Sequence, residues 1–407
     1  MICRHCQSPL DLDFLNLGHA PPSNAYLDSA ALNAPEKTYP LRVKVCRKCR
    51  LVQTEDYAGA KELFSSEYAY FSSTSRGWLD HAKRFATMIS ERLGLDGESH
   101  VIEVASNDGY MLRNFIAAGI PCLGIEPTDS TAEAAESLGI PVLREFFGER
   151  VGRRLSEEGK AADLVCGNNV YAHVPDINDF THGLAAVLKP GGVITLEFPH
   201  LLCLVEHNQF DTIYHEHFSY LSLLAVSRIF EAAGLRIFDL EHLPTHGGSL
   251  RVYGCHADAP FEASSSVGIC LEAERAAGLD TDDYYTAFQS RAEAVKNDLL
   301  RFLLKTDADG KSVAAYGAAA KGNTLLNFAG VKPDLLPFVC DAATAKQGKY
   351  MPGSHIPILP PEALDKRRPD YILILPWNIA EEVKMQLSHL AAKGSRFVTM
   401  VPELKIA

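Results

Sequence analysis

Four cysteines early in the sequence form two C-x-x-C pairs, Cys3 with Cys6 and Cys46 with Cys49. Thiolates at that spacing can complete a tetrahedral S4 site, so a zinc ion is expected there. Four cysteines close the coordination sphere and leave no position for water or substrate, which makes the expected ion structural. A redox C-x-x-C should open a helix after a core strand, and neither pair does. Among the other six, Cys122, Cys166, Cys255 and Cys340 lie in or beside apolar runs and read as buried, inert thiols.

The densest group of titratable side chains is Tyr214-His215-Glu216-His217, soon after the apolar run LEFPH. Imidazole titrates near neutrality, so a proton-transfer role is the expectation for such a cluster at the mouth of a cleft. In an extended segment His215 and His217 would share one side and Tyr214 and Glu216 the other, unless a turn fans them out. The competing readings are a loop held by its own hydrogen bonds and a metal site using the two histidines. His173, within NNVYAHVPD, is a second catalytic candidate.

A third constellation is the stretch VIEVASNDGYML, which reads as a strand, a tight turn and a helix able to approach a cofactor closely. Glu126 ends the next apolar run, where a carboxylate can accept from both hydroxyls of a ribose. Asn168 and Asn169 follow a later strand. NAD is the rival cofactor, but Gly109 is the only glycine in the turn, and a pyrophosphate needs more backbone room and more exposed amides. S-adenosylmethionine carries no phosphate and is therefore the expected ligand.

These groups are carried on 407 residues, enough for two to four domains. A hydrophobic content of 47% with 22% charged residues is that of a folded chain rather than a disordered one. The formal charge of -12, with no basic run, argues against a nucleic-acid partner. The longest apolar stretches, such as 371–376, fall far short of the roughly 20 residues that span a bilayer. The opening MICRHCQSPL has no secretory pattern, so a cytoplasmic location is expected.

The periodicity predicts three units. Residues 1–73 form a loop-rich zinc-binding domain with short extended runs at 41–45 and 51–54. In residues 74–266, Trp78, His81, Phe85, Met88 and Leu93 recur at helical spacing before Gly94, after which strand and helix signals alternate. That alternation predicts a Rossmann-like α/β domain with a parallel sheet covered on both faces. Two more strands, at 235–241 and 250–255, follow a helix at 222–233. Residues 267–407 open on one long helix, 270–305, and continue as a smaller Rossmann-like α/β domain with strands at 313–316, 335–340, 371–375 and 397–401.

The paired cysteines, EVASNDG, NNVYAHVPD, YHEHFSYLS, HGGSLRVY, YGAAAKGNTLLN, CDAATAKQGKYMPGSHIPI and LPWN, in that order, resemble the zinc-containing sugar 3-C-methyltransferases of branched deoxysugar pathways. The resemblance covers essentially the whole chain. It implies a class I methyltransferase domain and a monomeric enzyme of the kind that serves antibiotic biosynthesis. The implied substrate is a dTDP-4-keto-6-deoxysugar methylated at C3, with Tyr214, Glu216 and His217 at the reacting carbon, and His173 and Tyr68 beside them. It implies cofactor contacts at Glu103, Ala105, Asn107, Gly109, Glu126, Pro127, Asn168 and Asn169, and nucleotide-sugar contacts at Lys321, Asn323, Lys346, Gln347 and Tyr350. Ala105 departs from the pattern, since the family usually has glycine there.

The chemistry is consistent with that picture. The C3 hydrogen is acidic only because the neighbouring C4 ketone delocalises charge, and its pKa lies roughly 12 units above that of imidazole. At 1.36 kcal/mol per unit, the site must offset about 16 kcal/mol, more than a lone base can supply. His217 is expected to take the proton. Tyr214 or His173 would donate to the oxyanion, and Glu216 would orient an imidazole or hold a sugar hydroxyl. A diphosphate also needs local cations in an acidic protein, and Lys321, at the start of a helix, and Lys346 could supply them. The alternatives are O- or N-methylation of another small molecule, and an inactive zinc-ribbon protein that binds RNA or a partner.

Overall fold

The computed structural model describes residues 1–57 and 71–407; Tyr68 lies outside them. The first sheet comprises β1 (Leu12–Ala20), β2 (Tyr39–Val45) and β3 (Val52–Thr54), all antiparallel. The sequence reading has only loop at β1. Two register shifts against β2 break its alternation, so the period-2 signal is lost. Phe14 of β1 stacks 4.9 Å from Phe288, on the helix Phe288–Ala308, which places the apolar face of this sheet against the C-terminal part of the chain.

The central sheet contains β4 (Val101–Val104), β5 (Cys122–Ile125), β6 (Val142–Leu143), β7 (Ala162–Asn168) and β8 (Leu188–Pro199). A two-residue strand, β9 (Ser219–Tyr220), leaves this sheet and pairs with β3, closing the first sheet. β10 (Leu235–Leu243) and β11 (Ser249–His256) complete the central sheet. Its spatial order is β6-β5-β4-β7-β8-β11-β10. The sheet is not wholly parallel, as its hydrophobic runs predict: β11 runs antiparallel to both β8 and β10. A hairpin of two buried strands carries the same apolar signature as a crossover pair, so composition alone does not separate them.

The predicted helix over 270–305 is three helices, Ser265–Ala277, Asp283–Thr286 and Phe288–Ala308. Gly278 stops the first in a left-handed conformation (φ 99°), a common helix terminator. The last sheet has β12 (Val313–Tyr316), β13 (Val339–Cys340), β14 (Ile358–Leu359), β15 (Tyr371–Ile374), β16 (Arg396–Thr399) and β17 (Lys405–Ile406). Their order is β14-β13-β12-β15-β16-β17, parallel except for β17. Among the described residues, no helix is long and apolar enough to cross a membrane.

A buried ionic cluster ties the helix Arg76–Leu93 to the central sheet. Glu197 on β8 accepts from Arg251 on β11 (2.7 Å) and from Thr245 (2.9 Å), and pairs with His81 of the helix (2.8 Å). Burial works to raise the Glu197 carboxyl, but the His81 hydrogen bond and the Arg251 charge outweigh it and hold it below the usual range. Removing one partner of such a pair strands a buried charge, which costs about 3–5 kcal/mol. Arg251→Met should therefore lose stability of that order in urea titration. A change below about 1 kcal/mol would mean that the cluster is not what fixes this helix.

Candidate active site and zinc centre

The two cysteine pairs converge at the edge of the first sheet. Sγ atoms of Cys3 and Cys49 are 3.5 Å apart, those of Cys6 and Cys46 3.4 Å, and all four lie within 4.8 Å of one another. Each pair ends on a left-handed residue, Gln7 (φ 59°) and Arg50 (φ 63°), whose N–H donates back to the first cysteine's carbonyl. These two matching knuckles turn all four thiols toward one point. A Zn–S distance of about 2.3 Å requires sulfurs a little under 4 Å apart, so this S4 set fits zinc.

A cleft of about 730 Å³ opens above the carboxyl ends of the central strands, where β4 and β7 send the chain in opposite directions. One half is built for a nucleoside. After β4 the backbone turns through left-handed Ala105 (φ 57°) and Asn107 (φ 50°). Glu126, only 5% exposed, accepts from the Asn107 and Thr128 amides at 3.0 and 2.9 Å, which fixes its carboxylate on the wall beside Pro127. Asn168 also lines the cleft, and neither its amide nitrogen nor its oxygen has a hydrogen-bond partner. A fixed carboxylate and an unsatisfied carboxamide suit the hydroxyls and amino-acid part of S-adenosylmethionine. Phe146 and Phe147, after β6, extend the same wall.

The other half holds three imidazoles. A tight turn, closed by the His217 amide donating to the Tyr214 carbonyl at 3.0 Å, overturns the alternation expected of an extended segment. It brings Tyr214 and His217 to the same cleft, ring centres 4.1 Å apart, and sends His215 away to the carbonyl of Pro40. His173 lies 4.5 Å from His217, ring to ring. His217 Nδ1 donates to the Thr212 carbonyl (2.9 Å) and His173 Nδ1 to the Glu216 carbonyl (2.8 Å). A carbonyl only accepts, so in the neutral ring the lone pair sits on Nε2. Burial pushes His173 down to about 4 and His217 well below its usual value, the latter helped by neighbouring His173.

The third imidazole, His246, is left-handed (φ 54°) and accepts on Nε2 from the Asn169 side chain at 3.0 Å. The two glycines after it are required. A Cβ on Gly247 would stand 2.4 Å from Trp377, and one on Gly248 2.7 Å from the Cys203 sulfur. The C-terminal part closes the cleft with Lys321, whose ammonium donates to Asn378 (2.8 Å) and lies 4.6 Å over the Trp377 ring. Burial lowers Lys321 to about 8, opposed by the charge of Asp211. Asp211 accepts from the Trp377 indole (2.7 Å) and is pushed up to about 7 by burial.

Of the residues singled out from sequence, the cleft gathers Ala105, Asn107, Glu126, Pro127, Asn168, Asn169, His173, Tyr214, His217, Lys321 and Lys346. Others stand apart from it. Glu103 lies fully buried beneath the floor, with Tyr110 between it and the cleft. Gly109 is a packing position: its φ is +76° and a Cβ there would meet Ile140 at 2.3 Å. The Glu216 carboxylate accepts from Asn24 (3.2 Å), and it is the main-chain oxygen of Glu216, not its carboxylate, that holds His173. Asn323 donates to Ser23, Gln347 to Asp341, and Tyr350 exchanges main-chain bonds with Leu27. Asn323 and Tyr350 thus pin the N-terminal loop, and Gln347 ties its own loop back to Asp341. Sequence reasoning missed Asn24, Trp78, His246 and Asn378 as cleft residues, although HGGSLRVY and LPWN had marked two of them as motifs.

Sheet, cleft and thiol cluster together define an S-adenosylmethionine-dependent methyltransferase with a zinc-binding domain attached. Three family descriptions match in order: a zinc binding domain over residues 3–64, a methyltransferase domain over 77–240 and a C-methyltransferase C-terminal domain over 244–402. The C-methyltransferase NovU of Streptomyces niveus is 35% identical over 404 residues, covering 99% of this chain and 96% of NovU. The chain therefore belongs to the C-methyltransferase family that includes NovU. An uncharacterised methyltransferase of Mycobacterium leprae is 30% identical over 98 residues, 24% of this chain and 36% of that protein. Among solved structures, magnesium protoporphyrin IX methyltransferase from Synechocystis PCC 6803 aligns over 44% of this chain and 84% of its own, with 14% identity and a TM-score of 0.36.

Ala105 carries a methyl group in a left-handed conformation that costs alanine about 1 kcal/mol. Ala105→Gly should relieve that strain, less the extra freedom glycine gives the unfolded chain. The expected result is a small gain in stability, under about 1 kcal/mol, with S-adenosylmethionine still bound in calorimetry. A clear loss of stability would show that the methyl group makes a contact worth more than its strain.

Proposed function

We propose that the enzyme removes the C3 proton of a dTDP-linked 4-keto-deoxysugar and methylates the resulting enolate. The observation that carries this reading is the fixed tautomer of His217, a neutral, buried imidazole lining the cleft with its lone pair on Nε2. Bound S-adenosylmethionine supplies an electrophilic methyl group at the other half of the same cleft. A hydroxyl or amine nucleophile would need at most a base, whereas a ketone's carbon acid also needs a donor or cation for the enolate oxygen, and Tyr214 and Lys321 line the same cleft.

His217 serves as the base that accepts the C3 proton on Nε2. His173, with Nδ1 committed to a carbonyl, has no ring hydrogen to spare in its neutral form. Tyr214 is therefore the better donor to the developing C4 oxyanion. Lys321 assists it: its side chain lines the same cleft as Tyr214 and His217, where a cation stabilises a developing oxyanion. Lys346, which donates to the Ala318 carbonyl at 2.9 Å on the same wall, is then the residue for the diphosphate. Glu216 supports the turn through Asn24.

The test is deuterium incorporation at C3 of a dTDP-4-keto-deoxysugar in heavy water without cofactor. Wild type should exchange, and His217→Ala should slow exchange by about 10²–10⁴-fold. No exchange in wild type would leave O- or N-methylation as the better reading. Because a lowered pKa keeps the imidazole unprotonated down to its own value, the acid limb of the exchange profile should lie well below about 6.5. A limb centred near that value would exclude His217 as the base.

A further inference from the structure

A short run of buried side chains joins the first cysteine knuckle to the catalytic turn. Gln53 on β3 is fully buried, and its carboxamide is fully engaged. Oε1 accepts from the Arg4 amide at 3.0 Å, while Nε2 donates to Cys3 Sγ at 3.3 Å and to the Leu51 carbonyl at 3.4 Å. A backbone N–H only donates, so the Arg4 amide fixes the carboxamide with its NH2 group on the sulfur. Donors behind a metal-bound ligand hold it in orientation. Packing alone does not call for a glutamine here, because a buried amide is costly unless it is bonded.

The next residue reaches the reactive turn. Thr54, 3% exposed, shares its hydroxyl between the carbonyls of His217 (3.3 Å) and Phe218 (3.4 Å), and its amide donates to the Phe218 carbonyl at 3.1 Å. Arg4 closes the link from the cysteine side: its guanidinium donates to the Thr54 carbonyl at 3.0 Å and lies 5.4 Å over the Phe218 ring. The same knuckle grips the segment of the other imidazole. Asn178, on the helix Ile177–Val187, donates to the carbonyls of Arg4 (3.3 Å) and His5 (2.9 Å) and accepts from His5 Nδ1 at 2.8 Å. That helix follows the turn Tyr171–His173, whose Ala172 carbonyl accepts from the Phe218 amide at 2.8 Å. Arg4 and His5 thus stand between the segment of His173 on one side and, through Gln53 and Thr54, that of His217 on the other.

We propose that Gln53 and Thr54 are positioning residues through which the zinc centre sets His217 against His173 in the cleft. The inference rests on His217 being the base. Both rings have Nδ1 committed to a main-chain carbonyl, so each follows its own backbone. A shift of the chain at His217 therefore carries the Nε2 lone pair away from the substrate carbon. A metal on the four sulfurs holds Cys3 against Cys46 and Cys49, which lie between β2 and β3, and so holds Arg4 in place against Gln53 and Thr54.

Thr54→Val removes the hydroxyl and keeps the branched shape. The variant should still carry one zinc per chain by plasma mass spectrometry and bind S-adenosylmethionine in calorimetry as wild type does. Deuterium exchange at C3 should slow by about tenfold or more, and Thr54→Ser should restore it. An unchanged exchange rate with zinc retained overturns the inference. A second readout does not use the sugar. In protein labelled with nitrogen-15 at histidine, His217 should show the Nδ1-protonated tautomer in wild type and a mixture of tautomers in Thr54→Val, with the distant His389 unmoved. A pure Nδ1-protonated signal in the variant overturns the inference even where wild type shows no C3 exchange, a result that instead removes the carbon-acid reading. Should Thr54→Val fail to fold, Gln53→Met breaks the same path at the sulfur, and a full exchange rate in that variant with zinc bound overturns the inference equally.

Discussion

Two main-chain carbonyl oxygens, those of Thr212 and Glu216, each accept an imidazole proton, and the character of the cleft follows from that constraint. A carboxylate in either place would draw its imidazole toward the charged form. A carbonyl fixes the ring equally well while leaving it neutral, and burial then keeps it so. The tight turn from Tyr214 to His217 exists to meet this geometry, because only a reversal of the chain sets the Glu216 oxygen against His173 while returning His217 to the same space.

Around this turn the three sheets act as one support. The N-terminal loop reaches across with Asn24 on Glu216, Ser23 on Asn323 and Tyr26 on the carbonyl of Ala318 (2.5 Å). Lys346 donates to that same carbonyl and lies 5.3 Å over the Tyr26 ring. The cleft walls thus come from all three parts of the chain, and the segment that carries the cysteines also holds the reactive turn in register. The buried cluster of Glu197, Arg251, His81 and Thr245 does the same from below, since Thr245 begins the turn that presents His246.

The local code made much of this readable. Paired cysteines at knuckle spacing, the small residues after β4, Glu126 at the end of β5 and the histidine-rich stretch each announce a geometry that few other sequences need. What escaped the sequence depended on long-range partners. β1 hides behind its bulges, and the break at Gly278 looks like any helical glycine. Glu216 sits in the middle of a charged cluster, yet one of its carboxylate oxygens accepts from Asn24, 192 residues away in the chain. Asn323 and Tyr350, implied as ligand contacts by their motifs, lie outside the cleft lining and bond to the loop at Ser23 to Leu27. His246 was missed because its place in the cleft follows from Asn169 and Trp78, neither adjacent to it in sequence.

The pairing of β3 with β9 has a consequence for how the molecule comes into being. Val52 and Gln53 wait for Tyr220 and Ser219, so the first sheet acquires its last strand only after some 160 further residues have left the ribosome. Until then one of its edges is bare, with unpaired amides that invite the wrong neighbour. The cysteine knuckles close from local chain alone. A metal captured early would hold the nascent sheet in shape through that interval, giving the ion a task in biogenesis besides its place in the finished enzyme.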